Sequence, residues 1–302
     1  MGRPLLSVIC LCPDHDSRLE RTLCSVLDQG HDALECIVAA HGHPDDHDEL
    51  VSRYADDITA VIREPESTAP VAINSALAAA RGDLVAIVSA GDLYMPGAFD
   101  AVAQFWRSGG RPPWLLGHVM HIGTEDQLLG RLPSKAPASL AAFLRHDCPT
   151  WPMAACFWDR GFFEMYGPMR TGFSRCYDYE YWCRLLAAGQ RPRVLPGQDL
   201  LAHRQDRLPR SPIVTLQEGF ETIAAGALHA HELTWPQRCG LWLNFESRRR
   251  IYALAEAELD GLSSSRRLLR QAVRHPWWLA DDMFRHTLLH GVQHPVPADL
   301  AA

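Results

Sequence analysis

The sequence predicts an α/β protein, a doubly wound, mostly parallel sheet followed by a C-terminal helical extension. Three observations carry that expectation. Over roughly the first hundred residues, apolar runs of strand length alternate with segments of helical periodicity. The first of these runs, Leu5–Leu11, is apolar almost throughout, as a strand covered on both faces should be. From about Ser211 onward the pattern is helical, with no strand signal.

Each element follows from its residues. Ser17 opens the first helix, and Glu20 three residues later completes a capping box. Leu19, Leu23, Val26 and Leu27 form its apolar stripe, and Gly30 ends it. Leu34–Ala40 reads as the second strand, Asp45–Tyr54 as a polar helix and Ile58–Arg63 as the third strand. Pro70–Ala80 is an Ala-rich helix stopped by Gly82, and Leu84–Ser89 is the fourth strand. Pro96 marks the first turn of the next helix. Beyond Gly109-Gly110 the pattern loosens into a strand at Trp114–His121, a Pro-containing stretch and two helices flanking Gly172, the second starting near Tyr177. Arg193–Pro196 and Leu200–His203 read as two short strands.

Composition excludes several classes. The 302 residues carry 29 basic and 36 acidic side chains, a net charge of −7, so no nucleic-acid partner is expected. With 47% hydrophobic and 22% charged residues the chain is neither disordered nor fibrous. Lys135 is the only lysine, which argues against Schiff-base chemistry, and no glycine follows the first strand to make a dinucleotide fingerprint. No apolar run reaches the roughly 18 residues that span a bilayer, and no secretory signal pattern is seen. Nine cysteines, an odd number without a C-x-x-C pair, suit buried thiols in a reducing compartment, so a cytoplasmic location is expected.

In open α/β sheets ligands bind beyond the carboxyl ends of the strands. Those ends carry Cys12-Pro13-Asp14, His41-Gly42-His43 and Ser89-Ala90-Gly91-Asp92. Together with Ser7-Val8-Ile9, Leu19-Glu20-Arg21-Thr22-Leu23, Ser25-Val26-Leu27, Ala72-Ile73-Asn74, Ala80-Arg81-Gly82-Asp83, Asp92-Leu93-Tyr94-Met95-Pro96-Gly97-Ala98 and Asp178-Tyr179-Glu180-Tyr181-Trp182-Cys183-Arg184-Leu185, they occur in the order and spacing of a known family. Residues 5–205 resemble a GT-A-fold glycosyltransferase of family 2. The resemblance implies a donor half at 1–110, an acceptor half at 111–210 and a helical extension at 211–302. It also implies inverting transfer of a sugar from a nucleotide-activated donor to a carbohydrate, lipid-linked or small-molecule acceptor.

The same resemblance assigns roles. Asp178 corresponds to the general base, at a helix start where the dipole favours a carboxylate. Pro13, Asp14, His41, Asn74, Arg81, Ser89, Gly91, Asp92 and Arg204 fall on the donor side, and Tyr179, Glu180 and Trp182 on the acceptor side. Several of these depart from the family's pattern. The strand-one ending Pro-Thr-Tyr-Asn is Leu11-Cys12-Pro13-Asp14 here, and the two nucleoside-holding aspartates are Ala40 and His41. The metal-holding Asp-x-Asp is Ser89 and Gly91, with only the following Asp92 acidic. Mg²⁺ and Mn²⁺ want carboxylate oxygens, so weak or no divalent-metal dependence is expected, with Arg204, Arg207 or Arg210 as counter-charge. A catalytically silent GT-A domain, acting as a binding or scaffold protein, is the alternative.

Two further clusters stand apart. His41, His43 and His47 with Asp45, Asp46 and Asp48 offer transition-metal ligand types, but their spacing matches no zinc pattern and favours a solvated loop. Between residues 238 and 286 nine arginines outnumber six acids. That region, with Trp277-Trp278, reads either as an interfacial helix pair touching a membrane or as a soluble tail that caps the domain or forms a homo-oligomer. The interspersed acids favour the latter.

Overall fold

The computed structural model describes residues 2–13, 18–42, 48–145, 151–174, 176–204 and 264–280, with isolated positions between 234 and 289. The chain divides into two compact units, Met1–Asp206 and Arg207–Ala302.

The first unit opens as the sequence predicts. β1 (Leu6–Cys12), α1 (Leu19–Leu27), β2 (Leu34–Gly42), α2 (Asp48–Arg53), β3 (Ala60–Pro65), α3 (Ala69–Ala79) and β4 (Leu84–Ser89) alternate along the chain. β1 pairs in parallel with β2 and β4, and β2 with β3. Every β1 residue is buried, which accounts for a run apolar at every position but Ser7. α1 turns Leu19, Leu23 and Val26 onto the sheet together with the polar Thr22. Its Ser17 cap lies outside the described residues, and α2 is described only from Asp48. β3 begins two residues later than the sequence suggests.

The second half of the sheet is mixed. β5 (Leu93–Tyr94), α4 (Ala98–Ser108), β6 (Trp114–Ile122), β7 (Leu128–Leu132), α5 (Leu140–Arg145), β8 (Cys156–Asp159), α6 (Gly161–Tyr166), α7 (Tyr177–Ala187) and β9 (Arg193–Arg204) follow. The sheet order is β3-β2-β1-β4-β8-β6-β9-β5, with β7 beside β6. β8 runs antiparallel to β4 and β6, β5 to β9, and β7 to β6, whereas β6 and β9 are parallel. β5, β7 and β8 are too short for a period to register in sequence. The two short strands expected after residue 193 are one, β9. Gly197, at φ +95°, bends it, and a register shift against β6 absorbs the bend.

An aromatic core joins α7 to this half. The Trp182 indole lies between Trp114 of β6 and Trp158 of β8, each ring centroid 5.4 Å away and nearly parallel. Among the described residues no helix is long and apolar enough to cross a membrane.

Candidate active site

The carboxyl ends of β1, β2 and β4 lie along one edge, since Cys12 is level with Ala40 and Leu11 with Ser89. Pro13, His41 and Ser89 therefore share that edge, with Pro13 and His41 half-buried and Ser89 exposed. Asp14 and the His43–His47 stretch lie outside the described residues, as do Asp206, Arg207 and Arg210.

The turn after β4 is built by α1. Gly91 takes φ +102°, a conformation that favours glycine, and its N–H donates to Thr22 Oγ1 at 2.9 Å. That hydroxyl in turn donates to the Asp92 carbonyl at 2.9 Å. The turn so held directs the Asp92 side chain inward, where it is buried. Its Oδ1 accepts the backbone N–H of Arg204 at 3.0 Å and lies 2.9 Å from His203 Nδ1.

Arg204 itself is buried and its guanidinium is engaged. Nε donates to the Gly91 carbonyl at 3.2 Å, Nη1 to the Gly123 carbonyl at 2.6 Å, and Nη2 pairs with Asp126. Asp126 also binds Arg21 at 2.5 Å, and hydrogen bonds from Arg204 and then Arg21 hold its carboxyl below the usual range. Arg18 lies across Gly91: a Cβ there would stand 3.5 Å from the Arg18 guanidinium carbon.

Asp178 occupies the first turn of α7, and its Oδ1 accepts the Tyr179 N–H at 2.7 Å. Burial pushes its carboxyl up to about 6, against the opposing pull of the Tyr179 and Asp178 amides and of His203. The charges of Asp178 and Asp92 add to the burial that raises the Tyr177 phenol, so these groups share one neighbourhood. His121 of β6 packs edge-on to His203 at 5.7 Å between centroids. Burial, then the repulsion of His203, moves its imidazole below the ordinary value.

The structure thus brings Asp178, Asp92, Gly91 and Arg204 together, with His203, His121, Tyr177, Thr22 and Arg18 around them. Five other predicted residues lie elsewhere or face inward. Arg81 precedes β4, at the opposite edge of the sheet, where its Nε pairs with Glu35 at 2.7 Å. Asn74 clamps the Met169 backbone, donating to its carbonyl at 2.9 Å and accepting its N–H at 2.8 Å. Trp182 is wholly buried in the aromatic core. Glu180, also buried, is held by Arg184 at 2.7 Å and Arg170 at 3.3 Å. Tyr179 is buried as well and stacks on Phe143.

Residues 7–112 match the family described as Glycosyl transferase family 2. The chain has the GT-A fold of the family 2 glycosyltransferases. The S. aureus TarS 1–349 structure in complex with UDP-GlcNAc superposes with a TM-score of 0.61 at 16% identity, over 76% of this chain and 68% of that one. The same S. aureus fragment in complex with UDP gives 0.57 at 15%, over 78% and 69%. The S. aureus TarS structure gives 0.60 at 13%, over 94% of this chain and 55% of that one. No curated protein matches the chain.

The divalent metal implied by the GT-A fold does not fit the described residues at the turn after β4. Ser89 offers a neutral hydroxyl and Gly91 no side chain, and the Asp92 carboxylate already accepts from Arg204 and contacts His203.

Proposed function

We propose that this chain transfers a glycosyl unit from a nucleotide-activated sugar to an acceptor hydroxyl, with inversion and without a requirement for a divalent metal. One observation carries the reading: Asp178 is desolvated at a helix start, with its carboxyl raised to about 6, beside the His203–Asp92 pair. A carboxylate there is ionised at neutral pH and basic enough to take the acceptor proton. The acceptor oxygen attacks the anomeric carbon as the bond to the diphosphate oxygen breaks, and the electron pair leaves with the nucleoside diphosphate. Arg204, held by Asp126 and by carbonyls, fixes the Gly91 turn, and Arg18 beside that turn adds positive charge where the diphosphate would leave. Arg81, Asn74 and Trp182 then serve the scaffold.

The complexes of TarS with UDP-GlcNAc and UDP make UDP-sugars the first donors to test. Transfer or slow hydrolysis of a UDP-sugar in the presence of EDTA is the expected result. Loss of all turnover on chelation would refute the metal-independent reading. The engaged Asp92 also favours a second reading, a silent domain that binds without turnover. Stabilisation by a nucleotide-sugar with no product would decide for it. The unbridged cysteines among the described residues fit the cytoplasmic location that accompanies this proposal.

A further inference from the structure

The second unit carries a surface that its own packing does not explain. α8 (Ser264–Arg274) buries Leu268 and Ala272, which meet Trp278 and Phe284 in a small core. On another side of the helix Leu269 and Val273 stand 57% and 77% exposed, one turn apart. Trp277 and Leu279 continue the apolar exposure past the helix end, and Trp242 lies 6.2 Å from Trp277.

Arginines border this strip. Arg266, Arg270 and Arg274 are exposed at four-residue spacing. Leu269 follows Arg266, and Val273 follows Arg270, by three positions, so each pair is adjacent on the helix surface. None of these three arginines makes an ion pair among the described residues. Residues 264–280 contain four arginines and no acid, so the acids that temper the wider region do not lie in this segment. Arg266 and Arg267 sit near the helix N-terminus, where positive charge opposes the dipole. Helix stability therefore gives no reason for them, whereas an external anionic surface does.

We propose that this face docks on an anionic lipid bilayer. The arginines meet phosphate headgroups while Leu269, Val273 and Trp277 enter the headgroup–acyl boundary. A second copy fits less well, because its own residues 264–280 would bring no acid to these arginines. A nucleic acid would leave Leu269 and Val273 without apolar partners.

The test is flotation of the full-length chain with vesicles of phosphatidylcholine alone and mixed with phosphatidylglycerol, across a salt series. Binding to the mixed vesicles, weakened by salt, is expected. At roughly 1 kcal/mol for each basic side chain near the surface, Arg266→Gln/Arg270→Gln/Arg274→Gln should lower the partition coefficient on the order of 100-fold. Leu269→Ser/Val273→Ser should weaken the binding that survives high salt. Absence of binding to mixed vesicles overturns the proposal, as does wild-type binding indifferent to salt. Equal binding by the arginine variant, or a dimer in solution that this variant abolishes, overturns it too.

Discussion

At Asp178, burial and helix amides act on one carboxyl group in opposite directions, and burial prevails. The protonated form is inert as a base, so the rate should fall about tenfold per unit as pH drops below about 6, a limb visible in kcat/KM. Asp178→Asn should lower kcat by about 10²–10⁴-fold with donor affinity kept. Its stability should change in the opposite sense. A carboxyl raised in the native state favours folding at low pH and loses that contribution as pH rises through the native value. Above about pH 7 the Asn variant should therefore be more stable than the parent, by about 1–2 kcal/mol once the partial solvent access of the group is allowed for. Below pH 4 the two should melt alike, and a urea titration at both pH values measures it. Gly82 makes the companion case for the scaffold. Its N–H donates to Ser7 Oγ at 2.8 Å, and a Cβ would meet Ser7 N at 2.6 Å. Gly82→Ala should cost about 1–3 kcal/mol or more, because backbone must move, and should lower the melting temperature without a specific effect on kcat. Asp178 and Asp92 were legible because their neighbours in sequence carry a family pattern. Arg18, His203 and Asp126 were not, and Thr22 lies within that pattern with no sign there of its hold on the Gly91 turn. The bond from Arg204 to Asp92 spans 112 positions, and nothing local in either segment announces it.

Among the elements, α7 shows how sequence pattern and role separate. The resemblance assigns Asp178, Tyr179, Glu180 and Trp182 to the base and the acceptor side, yet the helical turns divide them. Asp178 stands at the N-terminus beside His203, while Trp182, one turn on, fills the space between β6 and β8. Trp182→Ala should cost about 3–5 kcal/mol through the cavity it leaves. Its activity should fall with the folded fraction, and should recover per folded molecule at lower temperature. A lasting loss of acceptor affinity in folded Trp182→Phe would mean instead that the indole touches substrate. The parallel half of the sheet was readable because β1 and β4 are nearly unbroken apolar runs and helices alternate regularly with its strands. The mixed half was not, since β8 is four residues long and its neighbours in the sheet come from distant parts of the chain. Arg204 belongs to this scale as well, tying β9 to the turns after β4 and β6. Arg204→Lys keeps the charge and forfeits the fork. It should cost about 1–3 kcal/mol, less than a wholly buried pair would, because Asp126 is partly exposed and retains Arg21.

Across the whole molecule the described thiols are mostly interior. Cys10, Cys12, Cys36, Cys156, Cys176 and Cys183 are buried, whereas Cys24 and Cys239 are half-buried. Burial lifts the Cys156 thiol to about 12 and Cys183 well above its ordinary range, so neither yields a thiolate at neutral pH. A thiol reagent should find few of the nine cysteines in native protein and all nine after denaturation. Prompt native labelling of most of them would contradict this packing. The charge of the molecule is also uneven: a net −7 overall contains an acid-free basic segment at 264–280. Composition averaged over the chain concealed that segment, and averaging over 238–286 still diluted it.

The position of β9 also constrains how the first unit is made. Among the described strands β9 is the last to leave the ribosome, yet it lies inside the sheet, between β6 and β5. A nascent chain that ends before residue 204 has neither the partner of Asp92 nor the cover for β6, whose open edge is a template for wrong pairing. The carboxyl edge of β4 and the helix that carries Asp178 can therefore be locked together only at the end of synthesis of this unit. Closure of a loop of that length precedes any gain from the contacts it brings, so refolding from denaturant should be slow, on the scale of milliseconds to seconds or longer. Its rate-limiting phase should coincide with the ordering of Asp92, and catalytic competence should be the last property regained.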